Sequence, residues 1–286
     1  MRTEPHRAWQ ATHEIRCGGI VLAMCNLYNM TPKHDLEVYW RTHASGELLI
    51  EDYQATTVGP FQNGVFLRPG ADGEVVGQLG QWGLIRAGQA ERIAYIEPKV
   101  APGEKPRAKR PKHTNNARIE AIDGLERMTN AAQVWRTGRR CLVPATWYQE
   151  PNWETGKNIW WHLRRADGRP WFIAGLWSDD WVDPCTGEVV ASYTMLTTNC
   201  DGHPLLARLH KPERDPKTRE VLPPEKQDKR SLVHVDPANW DQWLYGSAAK
   251  ARELIKPQPI EVFDMADAHR TDEVLRSQPN TGLLFE

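Results

Sequence analysis

Between Asn158 and Thr198 the chain writes three strand-length segments in a row, Asn158–Arg164, Trp171–Trp177 and Val189–Thr198. They are separated only by the turn signals Ala166-Asp167-Gly168 and Pro184-Cys185-Thr186-Gly187. Short segments joined in sequence by hairpin-sized turns argue for a mainly antiparallel sheet. Further strand-like pieces stand at Val65–Leu67, Val75–Leu79, Trp82–Ile85, Arg139–Ala145 and Ser231–Val235. Helical periodicity is confined to the flanks. Thr31-Pro32 reads as N-cap and first turn of a helix presenting Leu36, Tyr39 and Trp40. A second helix is predicted over Gly124–Arg136, with Leu125, Met128, Ala132 and Trp135 as its buried stripe and Gly138 beyond its end. A third runs from an Asp236-Pro237 start to Leu244. With no internal repeat and no convincing linker, the expectation is one α+β domain with a mainly antiparallel, barrel-like sheet and flanking helices.

The chemistry begins at Met24-Cys25-Asn26-Leu27-Tyr28. Removal of Met24 and the residues before it would leave cysteine at the N-terminus, with an amine (reference pKa roughly 7.7 to 8.0) and a thiol (roughly 8.5) on adjacent carbons. Such a pair condenses with one aldehyde, first to a Schiff base and then to a five-membered thiazolidine, which no internal cysteine can do. The alternative for Cys25 is a small buried residue at the start of a strand. Residues 1–24 are read as a leader or a mis-assigned start that is removed, and the domain as 25–286. Gly18–Ala23 is too short and too weakly apolar to span a membrane. Leu22-Ala23-Met24-Cys25 resembles a lipoprotein cleavage box, but Met24 stands where a small residue belongs.

Two other stretches carry chemistry. Between Lys99 and Lys112, the cations Lys99, Lys105, Arg107, Lys109, Arg110 and Lys112 sit among Pro98, Pro102, Pro106 and Pro111. This basic, proline-stiffened loop is either a solvated connection or an arm that tracks phosphates. Any polyanion signal must be local in this way, because the net charge of the 286 residues is only -1. Glu150 closes the aromatic run Thr146-Trp147-Tyr148-Gln149-Glu150. Apolar surroundings raise a carboxyl pKa and suit proton shuttling, although a surface carboxylate at a strand end reads the same way. The five cysteines form no CxxC or close Cys/His pair, which argues against a zinc site or disulfide framework and fits a reducing cytoplasm.

Met24-Cys25, Trp82-Gly83-Leu84-Ile85, Asn116-Ala117-Arg118-x-Glu120, Arg140-Cys141-Leu142-Val143-Pro144-Ala145 with Glu150, Ala174-Gly175-Leu176-Trp177 and Leu209-His210 occur in an order that resembles the SOS response-associated peptidase (SRAP) family. The resemblance implies a β-rich fold with a cleft for single-stranded DNA, and a cysteine that crosslinks to the aldehyde of an abasic site, with linked autopeptidase activity. It implies Cys25 as the crosslinking residue, Asn116 as the group orienting the N-terminus, Glu150 as the catalytic glutamate, His210 as the catalytic histidine that protonates the departing sugar oxygen, and Arg118 as a phosphate contact. Lys109, Arg110 and Lys112 are the further DNA-binding candidates, and no metal or organic cofactor is implied. The expected protein is a cytoplasmic monomer that needs no membrane. The sequence departs from the family at Leu27, where an arginine is usual, at Pro151, where an aromatic is usual, and after His210-Lys211-Pro212, where an insertion follows. His203 competes with His210 for the histidine role. Two alternatives stay open: an N-terminal-nucleophile amidohydrolase acting on other substrates, and a non-covalent reader of single-stranded DNA.

Overall fold

The computed structural model describes residues 25–98, 100, 103, 105, 107–123 and 129–265. In chain order these form β1 (Tyr28–Met30), α1 (Lys33–His43), β2 (Leu48–Ile50), β3 (Thr57–Val58), β4 (Asn63–Pro69), β5 (Val75–Trp82), β6 (Tyr95–Ile96), β7 (Arg110–Pro111) and β8 (Asn116–Arg118). Then come α2 (Ile119–Asp123), α3 (Asn130–Arg136), β9 (Arg140–Asn152), β10 (Ile159–Leu163), β11 (Trp171–Ser178), β12 (Ser192–Asn199), β13 (Arg230–Leu232), α4 (Trp240–Tyr245) and α5 (Ala248–Arg252). The architecture is α+β, as expected from the run of short strands.

The sheet closes on itself. β9 pairs with β11, β11 with β12, β12 with β5, β5 with β4, and β4 returns to β9. Most pairings are antiparallel, but β12 runs parallel to both β5 and β8, and β2 runs parallel to β5, so the sheet is mixed. β9 is the long member at 13 residues and also pairs with β1 and β10. Its first half, Arg140–Ala145, is buried on both faces and read from sequence as a core strand. Its second half carries Tyr148 and Glu150 to the site. Gly175 sits on β11 between β9 and β12, where an added Cβ would lie 2.8 Å from both Cys141 Sγ and the Thr194 carbonyl oxygen. Only glycine lets the three strands approach this closely.

Six of the 13 tryptophans tie down loops and strand ends that the barrel must hold. Trp40, Trp82, Trp171, Trp181, Trp240 and Trp243 are buried, and each indole N–H donates to a backbone carbonyl, of Gly46, Asn115, Leu163, Gln89, Val235 and Cys141 respectively. A single side chain thus fills the core and satisfies a strand end or connection. Trp40 of α1 stacks on Trp240 of α4 at 4.6 Å and 7°, and Phe172 of β11 lies 4.4 Å from Trp240. Both helices therefore dock on one face of the sheet.

Several boundaries differ from the sequence reading. Thr31 does not cap α1, which starts at Lys33 with Pro32 at the N-cap and no side-chain bond there. Val75–Leu79 and Trp82–Ile85 are not two strands; β5 runs unbroken through Trp82 because Gly80 and Gln81 stay in the ladder with β4. The helix expected over Gly124–Arg136 begins at Asn130, capped by the Thr129 hydroxyl on the Ala132 N–H at 3.0 Å. Leu125 and Met128 lie outside the described residues. Asp236 makes no side-chain cap; a 3-10 turn at Pro237–Asn239 leads into α4. Among the described residues no helix is long and apolar enough to cross a membrane.

One buried group sets an acid limit on the fold. His234 lies against the rings of Tyr148, Trp171 and Phe263, with the Arg165 guanidinium as the charge that reaches it. Burial first, and then Arg165, push its pKa down to about 3. A depressed histidine is neutral in the fold and protonated when unfolded, so between pH 6.5 and about 3 the unfolded state binds more protons and stability falls with falling pH. The contribution is on the order of 4 kcal/mol across that window. Urea midpoints measured from pH 7 to pH 4 should therefore fall steeply for the wild type and less steeply for His234→Leu. Parallel curves would assign the acid lability elsewhere.

Candidate active site

The chain enters the sheet just before β1, and there Cys25 is buried, 1 % exposed. Both backbone groups of this residue are held. Its N–H donates to the Glu150 carboxylate, and its carbonyl accepts from Asn116 Nδ2 at 2.7 Å. The thiol faces the Leu27 carbonyl at 3.5 Å. Burial and then the nearby Glu150 charge push its pKa up, so sulfur is held as the thiol rather than the thiolate.

Each partner is placed by a different part of the barrel. Glu150 points inward from β9, two residues after Tyr148, and the β1–β9 register sets Tyr28 opposite Tyr148. Gln149 N–H donates to the Leu27 carbonyl at 2.9 Å, closing the ladder beside Cys25. Asn116 opens β8, paired with Met195 of β12, and the preceding Asn115 carbonyl is held by the Trp82 indole at 2.8 Å. The Trp82-Gly83-Leu84-Ile85 stretch thus acts as a brace for Asn116.

His210 arrives from the long connection after β12. Its backbone adopts the left-handed region, φ 65°, and its N–H donates to the Pro151 carbonyl at 2.6 Å. Pro151 therefore anchors the histidine through an oxygen that any residue offers, so the loss of the usual aromatic leaves this contact in place. Lys229 Nζ donates to the carbonyls of Leu209 and His210 at 2.8 and 2.7 Å, and His210 Nε2 stands 2.8 Å from the Arg230 carbonyl. A carbonyl only accepts, so Nε2 carries the proton and Nδ1 is the bare nitrogen. Arg230 is itself buried and fixed by Glu120 at 2.7 Å, Asp228 at 3.1 Å and the Thr197 carbonyl at 3.0 Å. The two ends of the connection that reads as a polar insertion are therefore packed, with Leu205, Leu206 and Leu209 buried, while residues 211–226 are largely exposed.

His210 Nε2 lies 3.7 Å from Glu150 Oε2, both side chains nearly fully buried. Burial pushes the Glu150 pKa well up and the His210 pKa down to about 4. A neutral acid beside a neutral imidazole avoids burying two charges, so near neutrality the proton resides on Glu150. Around them the buried atoms Asn26 Oδ1, Asn116 Oδ1, Tyr148 OH, Glu150 Oε2 and His210 Nδ1 have no hydrogen-bond partner among the described residues. Unpaired buried polar atoms are costly and rare, and those on Asn116, Glu150 and His210 belong to the residues that meet around Cys25.

The sequence-derived residues separate into two groups. Cys25, Asn116, Glu150 and His210 meet at one place. Lys109, Arg110 and Lys112 lie apart in the arm, which is not the plain loop expected: β7 pairs with β6 in a short ribbon. Lys109 Nζ contacts Glu97 at 2.6 Å, and Arg118 contacts Asp228 at 2.6 Å, all four groups exposed. Exposed pairs of this kind exchange readily, so a phosphate would compete for these cations. Lys99 lies outside the described residues. His203 takes a structural position, its Nδ1 accepting from the Leu205 and Leu206 N–H groups at 3.2 and 3.0 Å and its Nε2 donating to the Gln258 carbonyl at 2.8 Å. Tyr148, Asp228, Lys229 and Arg230 were not among the residues singled out from sequence. Nothing local marks them, since Lys229-Arg230 looks like any charged pair before a strand. Among the described residues no group of three or more His, Cys, Asp or Glu is placed to hold a metal ion.

Comparison with known proteins gives a consistent picture. Residues 21–271 match the family model described as SOS response associated peptidase (SRAP). No curated protein matches the chain. Among solved structures, a protein from Bordetella bronchiseptica is 27 % identical with a TM-score of 0.62, over 84 % of this chain and 97 % of that one. A protein from Bacteroides thetaiotaomicron shares the fold at 20 % identity and TM-score 0.53, over 84 % and 90 % of the two chains. A phage-related protein from Bordetella bronchiseptica does so at 16 % and 0.52, over 84 % and 92 %.

Proposed function

We propose that this chain, which belongs to the SOS response associated peptidase family and is thereby an SOS-associated, DNA-related protein, captures abasic sites in single-stranded DNA as a thiazolidine on Cys25. One observation carries the reading: the backbone nitrogen that would become the reactive amine already lies on the Glu150 carboxylate, while Asn116 fixes the carbonyl of the same residue. The peptidase activity is, on this reading, hydrolysis of the Met24–Cys25 amide, which releases the leader and frees the amine.

The steps follow from the protonation states. The abasic sugar opens as the bare His210 Nδ1 takes the anomeric hydroxyl proton and Glu150 supplies one to the ring oxygen; His210, with a pKa near 4, enters as acceptor rather than donor. The amine adds to the exposed aldehyde carbon and a proton passes from nitrogen to oxygen, giving a carbinolamine. His210 passes a proton back to Glu150, 3.7 Å away, which returns both groups to neutrality. Glu150 then gives its proton to the hydroxyl, which leaves as water, and the nitrogen lone pair forms the iminium. Sulfur attacks that carbon, the C=N pair returns to nitrogen, and the thiol proton goes to the Glu150 carboxylate. One water is lost overall and Glu150 ends as it began. Asn116 contributes by holding the nucleophile in register, where orientation lowers the entropic barrier. Arg118 and the arm residues Lys109, Arg110 and Lys112 supply sequence-independent phosphate contacts.

The test is the intact mass of the purified protein, alone and after incubation with a single-stranded oligonucleotide carrying one abasic site. The free protein should begin at Cys25, and the denaturation-resistant adduct should weigh the sum of both partners less one water. A reactive protein that retains Met24, or the absence of any adduct, would overturn the reading.

A further inference from the structure

Tyr148 is fully buried, yet its hydroxyl has no hydrogen-bond partner among the described residues. Its ring is fixed by Trp171 at 5.9 Å, edge-on, and by His234 at 5.4 Å. Strand alternation puts Tyr148 on the same face of β9 as Glu150, roughly 7 Å along the strand. The neighbouring Tyr28, opposite it on β1, is different, because its hydroxyl is taken by Tyr193. Phenylalanine would fill the same space at Tyr148 without leaving a buried hydroxyl unpaired. The cost of that hydroxyl points to a partner present only during reaction.

We infer that Tyr148 is a further catalytic residue, its O–H donating a hydrogen bond to Cys25 sulfur as that atom attacks the iminium carbon. This rests on the covalent-capture reading and adds a role to it. Glu150, then Cys25 and Cys200, are the ionisable groups close enough to act on the phenol. Burial, followed by Glu150, keeps the hydroxyl protonated, so it remains a donor throughout. The thiol itself is held neutral by its own burial, and sulfur must gain negative character as its proton passes to Glu150. A fixed donor aimed at developing charge in a water-poor site lowers that barrier, while no bond to Tyr148 is made or broken.

The experiment separates iminium formation from ring closure. Borohydride traps the iminium, whereas the closed ring resists it. Tyr148→Phe should form trapped iminium at the wild-type rate and close the ring about 10- to 100-fold more slowly. Its closure rate should also need a higher pH to rise, because the thiol has lost a donor. Affinity for an undamaged strand should stay unchanged, which a merely structural role would not guarantee. If Tyr148→Phe fails to fold, 3-fluorotyrosine at position 148 decides: its more acidic hydroxyl fits the same space and should speed closure. Closure at the wild-type rate in the folded variant, or with fluorotyrosine, overturns the assignment of Tyr148 alone. Absence of any adduct in the wild type would instead overturn the covalent reading itself.

Discussion

Cys25→Ala is expected to reduce the denaturation-resistant adduct to background. The substitution keeps the amine, so a Schiff base can still form, but nothing on the β-carbon can close on it. The imine then returns to aldehyde when water is in excess. Cys25→Ser should fall between the two, because a hydroxyl closes to a ring that opens far more easily than the sulfur ring. Borohydride distinguishes the cases: it should rescue a covalent bond in the Ala and Ser variants and make no difference to the wild type once closure is complete. Alanine is smaller than cysteine and gives up only weak contacts of the sulfur with backbone, such as that with the Leu27 carbonyl at 3.5 Å. If Cys25→Ala forms adduct at the wild-type rate, sulfur has no role and the capture chemistry belongs to another nucleophile.

Glu150→Gln is expected to slow capture by roughly 10²- to 10⁴-fold, the range for a general acid–base group. That corresponds to about 3 to 5 kcal/mol of transition-state stabilisation. The amide keeps the shape and can still accept from the Cys25 N–H, so affinity for an abasic strand should change little. The loss then appears in the rate and not in binding. His210→Ala should slow the sugar-opening step specifically, and an oligonucleotide carrying a pre-formed open-chain aldehyde should restore most of its rate. His203→Ala should lower stability, because two backbone N–H groups lose their acceptor, without selectively slowing capture. A Glu150→Gln protein that captures at the wild-type rate would remove proton transfer by Glu150 from the mechanism.

Strands β10, β11 and β12 were legible because each is short, β-branched or aromatic, and bounded by turn residues. However, β10 and β11 do not pair with each other; both pair antiparallel with the long β9 instead. The parallel pairings of β12 with β5 and β8 were not legible, because they join segments far apart in the chain and leave no local periodicity. Cys25, Asn116, Glu150 and His210 were singled out through their family motifs and come together in the fold, and a glutamate in an aromatic run, here buried, also had a physical signature. Tyr148 was hidden in that same run, since alternation gives its face but not the fact that its hydroxyl is unpaired. Lys229 and Arg230 were hidden for the opposite reason. Charged residues at the end of a proline-rich connection read as solvated, and only the tertiary structure shows them buried beneath His210. The Thr31 cap failed because Pro32 occupies the N-cap position itself, ahead of a helix that starts at Lys33.

The order in which the site's parts appear along the chain has a consequence for biosynthesis. Cys25 leaves the ribosome early, but Glu150, His210 and the Lys229–Arg230 clamp all follow it. At about 5 to 20 residues per second, the cysteine waits on the order of 10 to 40 s before its last supporting residues are made. During that time the thiol has neither the proton carrier nor the enclosure that the finished barrel provides. On the proposed reading the nucleophile is encoded first and equipped last, so the assembled site, with Cys25 enclosed and Glu150 beside it, exists only after the chain through Arg230 has folded.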